Sequence, residues 1–136
     1  MRPARWAPWV AASCPCGLAA VYRTCCGRYH AGELHLQAPT PEALLRSRYA
    51  AYVLGLADYL RATWHASTRP VALEPDPPGL KWLGLKVRRR AMQDEVHATV
   101  EFVARSKLGG RALRPHEVSR FVREGGRWFY VDAAMR

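Results

Sequence analysis

Ser119-Arg120-Phe121-Val122-Arg123-Glu124-Gly125-Gly126-Arg127-Trp128-Phe129-Tyr130-Val131-Asp132 holds two runs of β-branched and aromatic residues on either side of a glycine pair. Gly-Gly supplies the positive φ angles that a two-residue hairpin turn demands, so the stretch predicts two antiparallel strands. A second pair, Gly109-Gly110, lies upstream between similar runs. Strands are therefore expected at 80–90, 94–107, 112–123 and 127–133. With both pairs as tight turns, Phe102 faces Glu117, Val100 faces Ser119, and Ser119 in turn faces Asp132. One sheet face then carries Val96, Ala98, Val100, Phe102, Glu117, Ser119, Phe121, Trp128, Tyr130 and Asp132. The other carries His97, Glu101, Val103, His116, Val118, Arg120, Val122, Phe129 and Val131. Both contain apolar residues, so one is expected to pack on helices and the other on a second copy or on the N-terminal segment.

The helices come first in the chain. Thr40-Pro41-Glu42 combines a capping hydroxyl, a proline where no amide is needed and an acid at the positive end of the helix dipole. Leu44, Leu45, Tyr49, Tyr52 and Val53 recur at helical spacing, with Arg46 and Arg48 expected on the flanks. Gly55 interrupts, and a second helix continues to about 66. Pro70, Pro75, Pro77 and Pro78 make 67–79 a loop. Helices followed by four antiparallel strands point to an α+β fold with the helices covering one face of a curved sheet.

All four cysteines lie in Cys14-Pro15-Cys16-Gly17 and Cys25-Cys26-Gly27. Four soft thiolates in so short a segment suit tetrahedral zinc, with Cys14, Cys16, Cys25 and Cys26 as ligands. Adjacent cysteines make strained disulfides, and a redox dithiol normally has Cys-x-x-Cys spacing at a helix start; both readings are weaker than metal. His30 is a possible substitute ligand, or else an exposed loop histidine.

Cys-Pro-Cys-Gly followed eight residues on by Cys-Cys-Gly resembles the zinc motif at the C-terminus of the SecA translocation ATPase, called SEC-C. Cys-Cys-Gly-Arg-Tyr-His, then 40–52, then Tyr59-Leu60 through Thr63-Trp64-His65, and finally 119–132, look like the YchJ-like family of uncharacterised bacterial proteins. The resemblance covers nearly all of 13–134. It implies a SEC-C knuckle followed by a cone-shaped α+β domain like that of nuclear transport factor two. On that basis 1–12 is a disordered lead-in, 13–30 the knuckle and 38–134 the α+β domain. One departure is that Leu18-Ala19 follow Gly17, where SEC-C motifs usually continue Gly-Ser-Gly. SEC-C resemblance also implies protein partners, in SecA a chaperone and the ribosome.

Twenty-one Lys and Arg against eleven Asp and Glu leave a formal charge of +10. Such a field attracts polyanions, making nonspecific nucleic-acid or ribosome binding a reading to test. Scattered arginines are equally the product of a GC-rich genome. No run of about 18 apolar residues occurs, so no membrane span is expected, and unpaired cysteines make the cytoplasm the default compartment.

No catalytic signature stands out. Glu117, Asp132 and His65 are candidate acid or base groups, with His97 beside them, and Phe102, Ser119, Trp128 and Tyr130 are expected to line the cone. Folds of the resembled class house isomerases and dehydratases there, so a small isomerase, dehydratase or hydrolase is the alternative to a binding or adaptor module that holds a small ligand. A cavity above about 300 Å³ lined by those carboxylates separates the two. The plainer reading of the carboxylates is solvated strand ends paired with Arg120 or Arg123.

Overall fold

The computed structural model describes residues 12–136. The lead-in expected to be disordered lies, but for its last residue, outside the described residues. A small hairpin opens the chain: Cys14 N–H donates to Ala20 O (2.8 Å) and Tyr22 N–H to Ala12 O (2.8 Å). A 3-10 turn, Tyr22–Thr24, and a one-turn helix α1, Gly27–His30, follow.

Helix α2 spans Pro41–Leu54. Thr40 Oγ1 accepts from Ala43 N (3.0 Å), and Gly55 ends the helix at φ 73°. Both ends follow the expected chemistry. Helix α3, Ala57–Ala62, stops about a turn short of the expected end. There the chain becomes extended and joins the sheet instead. Tyr130 N–H donates to Thr63 O (2.8 Å) and His65 N–H to Tyr130 O (2.7 Å).

The sheet has five strands: β1 Lys81–Met92, β2 His97–Leu108, β3 Arg111–Leu113, β4 His116–Glu124 and β5 Arg127–Met135. Their order is β1-β2-β4-β5, with β3 also on β2. The expected third strand is two, because Arg114-Pro115 interrupts it and a proline cannot donate to the ladder. Register is unchanged across the break: Ser106 faces Leu113, Phe102 faces Glu117 and Val100 faces Ser119, as expected. Both glycine pairs turn with positive φ, 59° and 78° at Gly109-Gly110 and 58° and 78° at Gly125-Gly126.

The second hairpin departs from expectation at one point. Phe121 faces Tyr130, but Arg120 faces Asp132, so Val131 is an extra residue. A bulge reverses which face the following residues occupy. Ser119 therefore faces Ala133, and Asp132 lies on the outer face with Arg120.

Leu44, Leu45, Tyr49 and Leu60 pack on the inner face, against Val100, Phe102, Ala104, Phe121 and Trp128. The expectation that the knuckle covers the outer face is not met. It rests on α2, where Ala50 packs among the four cysteines and Tyr22. Arg46 and Arg48 are not flanking residues either. Arg46 Nη1 donates to Cys16 O (2.7 Å), and Arg48 is only 4% exposed.

Glu42 joins α2 to β1, accepting from Arg46 (2.8 Å) and from Arg90. Burial works to raise its carboxyl pKa, but the hydrogen bonds from Arg90 and Arg46 outweigh it and hold the group below the usual carboxylate range. A depressed native pKa contributes stability above the unfolded value of about 4.3, lost as pH falls through the native one. Glu42→Gln is thus expected to be less stable than the parent at pH 7. The difference should disappear in urea unfolding series carried down to about pH 2.

Candidate metal centre

The hairpin, the 3-10 turn and the start of α1 deliver one cysteine pair each side of a common point. All four thiols are buried and none is joined to another. Their Sγ atoms lie within 4.8 Å of one another, with Cys16 and Cys25 3.6 Å apart. Gly17, at φ 94°, turns the chain so that the Leu18 amide donates to the Cys16 sulfur. Gly27 has a different reason to be glycine. A Cβ there would meet Tyr22 O at 2.8 Å and the Tyr22 ring at 2.9 Å, so the second pair can reach the first only with no side chain at 27.

The electrostatics favour a cation. Hydrogen bonds from Cys14 and then Cys26 pull the Cys16 thiol well below its ordinary pKa. Hydrogen bonds to Cys14 and Cys16 push Cys26 up, and burial, with Cys16 next, pushes Cys25 up to about 12. One negative sulfur is tolerated in the buried cluster and further ones are resisted. A divalent ion removes that repulsion, and four sulfur donors suit a soft or borderline metal.

His30 is not a fifth member of the cluster. Its Nε2 donates to Ser47 O (2.8 Å), which leaves Nδ1 to accept from Tyr22 Oη. Ser47, wholly buried, donates from Oγ to Leu44 O (2.9 Å) and accepts from Tyr59 Oη (2.7 Å). Neither ligand nor exposed loop residue, His30 links the knuckle to α2 and α3. Burial lowers its pKa, as befits a ring that must stay neutral to accept from Tyr22.

The other candidates separate. Phe102, Ser119, Tyr130 and Glu117 line one cavity of about 210 Å³ between α2 and the inner sheet face, below the 300 Å³ that would favour an enzyme. Trp128 is buried in the core outside that lining. Asp132 pairs with Arg120 through two 2.6 Å hydrogen bonds on the outer face, removed from the cavity by the bulge. His65 donates from Nε2 to Glu124 (2.8 Å), while its Nδ1 accepts from Ser67 N (3.1 Å). His97 holds Asp94 (2.9 Å). Both histidines line a separate open groove near the β1–β2 turn. Among the proposed acid-base groups only Glu117 is in the cone.

Arg48 is the cavity residue that sequence reasoning missed. A signal existed: it follows Leu44 by four residues and precedes Tyr52 by four, which puts it on the buried stripe.

A family profile described as "YchJ, middle NTF2-like domain" matches residues 40–133. The chain belongs to the YchJ-like family. A UPF0225 protein of Bordetella parapertussis is 58% identical over 125 residues, 92% of this chain and 94% of that protein. One from Methylibium petroleiphilum is 62% identical over 119 residues, 88% and 85% of the two. Two solved structures share the fold. The solution structure of a SEC-C motif containing protein from Rhodopseudomonas palustris has a TM-score of 0.78 at 34% identity, covering 90% of this chain and 97% of that one. The crystal structure of one from Psychrobacter arcticus also scores 0.78, at 26% identity over 94% and 85%. This YchJ-like chain therefore shares its overall fold with two proteins described as containing a SEC-C motif.

The close approach at Gly27 yields a test. Gly27→Ala should strain the knuckle by about 1–3 kcal/mol, opening it and raising the rate of thiol labelling by a disulfide reagent on the order of tenfold or more. Global unfolding of the helix-covered sheet should shift far less.

Proposed function

We propose that this YchJ-like chain is a small zinc-dependent binding module of the cytoplasm whose knuckle docks an acidic protein surface, the ribosome being one such partner. The observation that carries the reading is the cluster of four buried thiols within 4.8 Å. In the knuckle segment Leu18 and Val21 are exposed at 46% and 37%, and Arg23 and Arg28 of the same segment are exposed too. Apolar contact flanked by guanidinium groups suits an acidic partner. Zinc would contribute on the order of 10 kcal/mol to ordering a segment with little core of its own. Free thiols fit a reducing compartment. Among the described residues no helix is long and apolar enough to cross a membrane.

Elemental analysis of the purified full chain should find stoichiometric zinc, and Cys16→Ser should lose it along with the dispersed knuckle resonances. Leu18→Glu combined with Val21→Glu should keep the zinc and the fold yet lose the cross-linked partner that the parent captures in cells. A chain folded at the knuckle without metal would overturn the reading.

A second reading, nonspecific RNA binding, has one observation in its favour. Lys81 faces Lys107 across β1 and β2, and with exposed Lys86 and Arg105 they form a basic patch at one end of the outer face. If it binds single-stranded RNA, affinity measured by fluorescence anisotropy should fall with salt at a log–log slope of roughly −3 for four contacts, and Lys86→Glu with Arg105→Glu should abolish it.

A further inference from the structure

Arg48 presents an unusual charge problem. It is 4% exposed, and among the described residues no carboxylate lies within 4.0 Å of its guanidinium. Nη1 donates to Leu60 O (2.8 Å) and to Thr63 Oγ1 (2.7 Å), and the Tyr52 hydroxyl is a third partner. A guanidinium has five N–H donors, and these contacts do not use them all. The group is stacked instead, its carbon 4.3 Å from the centre of the Tyr130 ring and 5.1 Å from that of Trp64. Aromatic faces offset part of the cost of burying a cation, but a buried charge is normally paired with an anion.

This guanidinium lines the 210 Å³ cone, whose other walls include Tyr49, Trp82, Leu85 and Phe102. The volume leaves room for a small organic molecule. Glu117 is the one acid in the lining, and it has no hydrogen-bond or ion-pair partner among the described residues. Burial raises its carboxyl above the usual range, and no nearby cation counters that, so it is not serving as the counter-ion of Arg48.

We propose that the cone is a binding site for small organic monocarboxylates, the ligand carboxylate pairing with the Arg48 guanidinium and its apolar part lying against Phe102, Trp82 and Tyr130. This goes beyond the docking role of the knuckle and does not depend on it. Glu117 opposes the ligand whenever it is ionised, and thereby restricts occupancy to a single negative charge. Phosphate shares the chemistry that a guanidinium recognises but brings a second charge and no apolar surface, so the site discriminates against it.

The test uses the full chain as purified, with acetate, benzoate, benzamide and inorganic phosphate as probes. Benzoate should give saturable changes in tryptophan fluorescence and in the amide resonances of Phe102 and Ser119 below about 10 mM, with acetate weaker. Benzamide, of the same shape without the charge, should bind at least tenfold more weakly, and phosphate should not displace benzoate. Glu117→Gln, which removes the opposing charge without touching the guanidinium, should tighten benzoate at least threefold at pH 8. Arg48→Gln should abolish binding. Should that variant fail to fold, the Glu117→Gln and benzamide comparisons decide alone. No saturation by either carboxylate, equal affinity for benzamide, displacement by phosphate, or indifference to Glu117→Gln would each overturn the proposal.

Discussion

The burial of α2 on both sides is the constraint from which the other arrangements follow. A surface helix hides one stripe, yet here Leu44, Leu45, Ser47, Arg48, Tyr49, Ala50 and Ala51 are all buried. Toward the sheet, Leu44, Leu45 and Tyr49 close the hydrophobic core. Toward the knuckle, Ala50 is wholly covered by the cysteine cluster, and the adjacent turn offers the Ser47 carbonyl to His30. The polar residues in the middle of the helix are there because they have internal partners: Arg46 holds the Cys16 carbonyl, Ser47 holds Tyr59, and Arg48 holds Leu60 and Thr63. A buried polar group without such a partner would cost about 1–3 kcal/mol.

Much of this architecture could be read from the chain, for local reasons. Two glycine pairs can adopt the φ angles of a tight hairpin turn where side-chain-bearing residues resist, so the register of β2 on β4 followed directly from counting. Thr40, Pro41 and Gly55 mark the ends of α2 because capping depends on residues adjacent in sequence. Four cysteines confined to a short segment have few ways to avoid meeting.

What could not be read was decided by contacts distant in sequence. The bulge at Val131 leaves no local mark, since a valine is ordinary in a strand; its rationale lies across the ladder, where it brings Asp132 to Arg120. That one-residue slip removed a carboxylate from the expected site. His30 was indistinguishable from a ligand or a loop residue until Ser47, seventeen positions away, was seen to accept from it. Arg48 carries a local mark in its spacing from Leu44 and Tyr52, but arginine is rarely buried, and the partners that let it be so are distant in sequence. Only the fold shows that Trp64 and Tyr130 stack on it from α3's C-terminal extension and from β5.

The two sites share a wall, and this limits what either can tolerate. Ala50 faces the thiols with no exposed surface, so any larger side chain must displace either the knuckle or the helix. Less than a turn earlier, Arg48 faces the cone from the same backbone. A shift of α2 that accommodates a change on one side is transmitted to the other, because close-packed interiors move as units and do not deform continuously. Glu42 and its two arginines pin the N-terminal end of that helix to the knuckle and to β1 at once. The thiol cluster and the buried guanidinium are therefore positioned by one rigid element, and the geometry of each depends on the packing of the other.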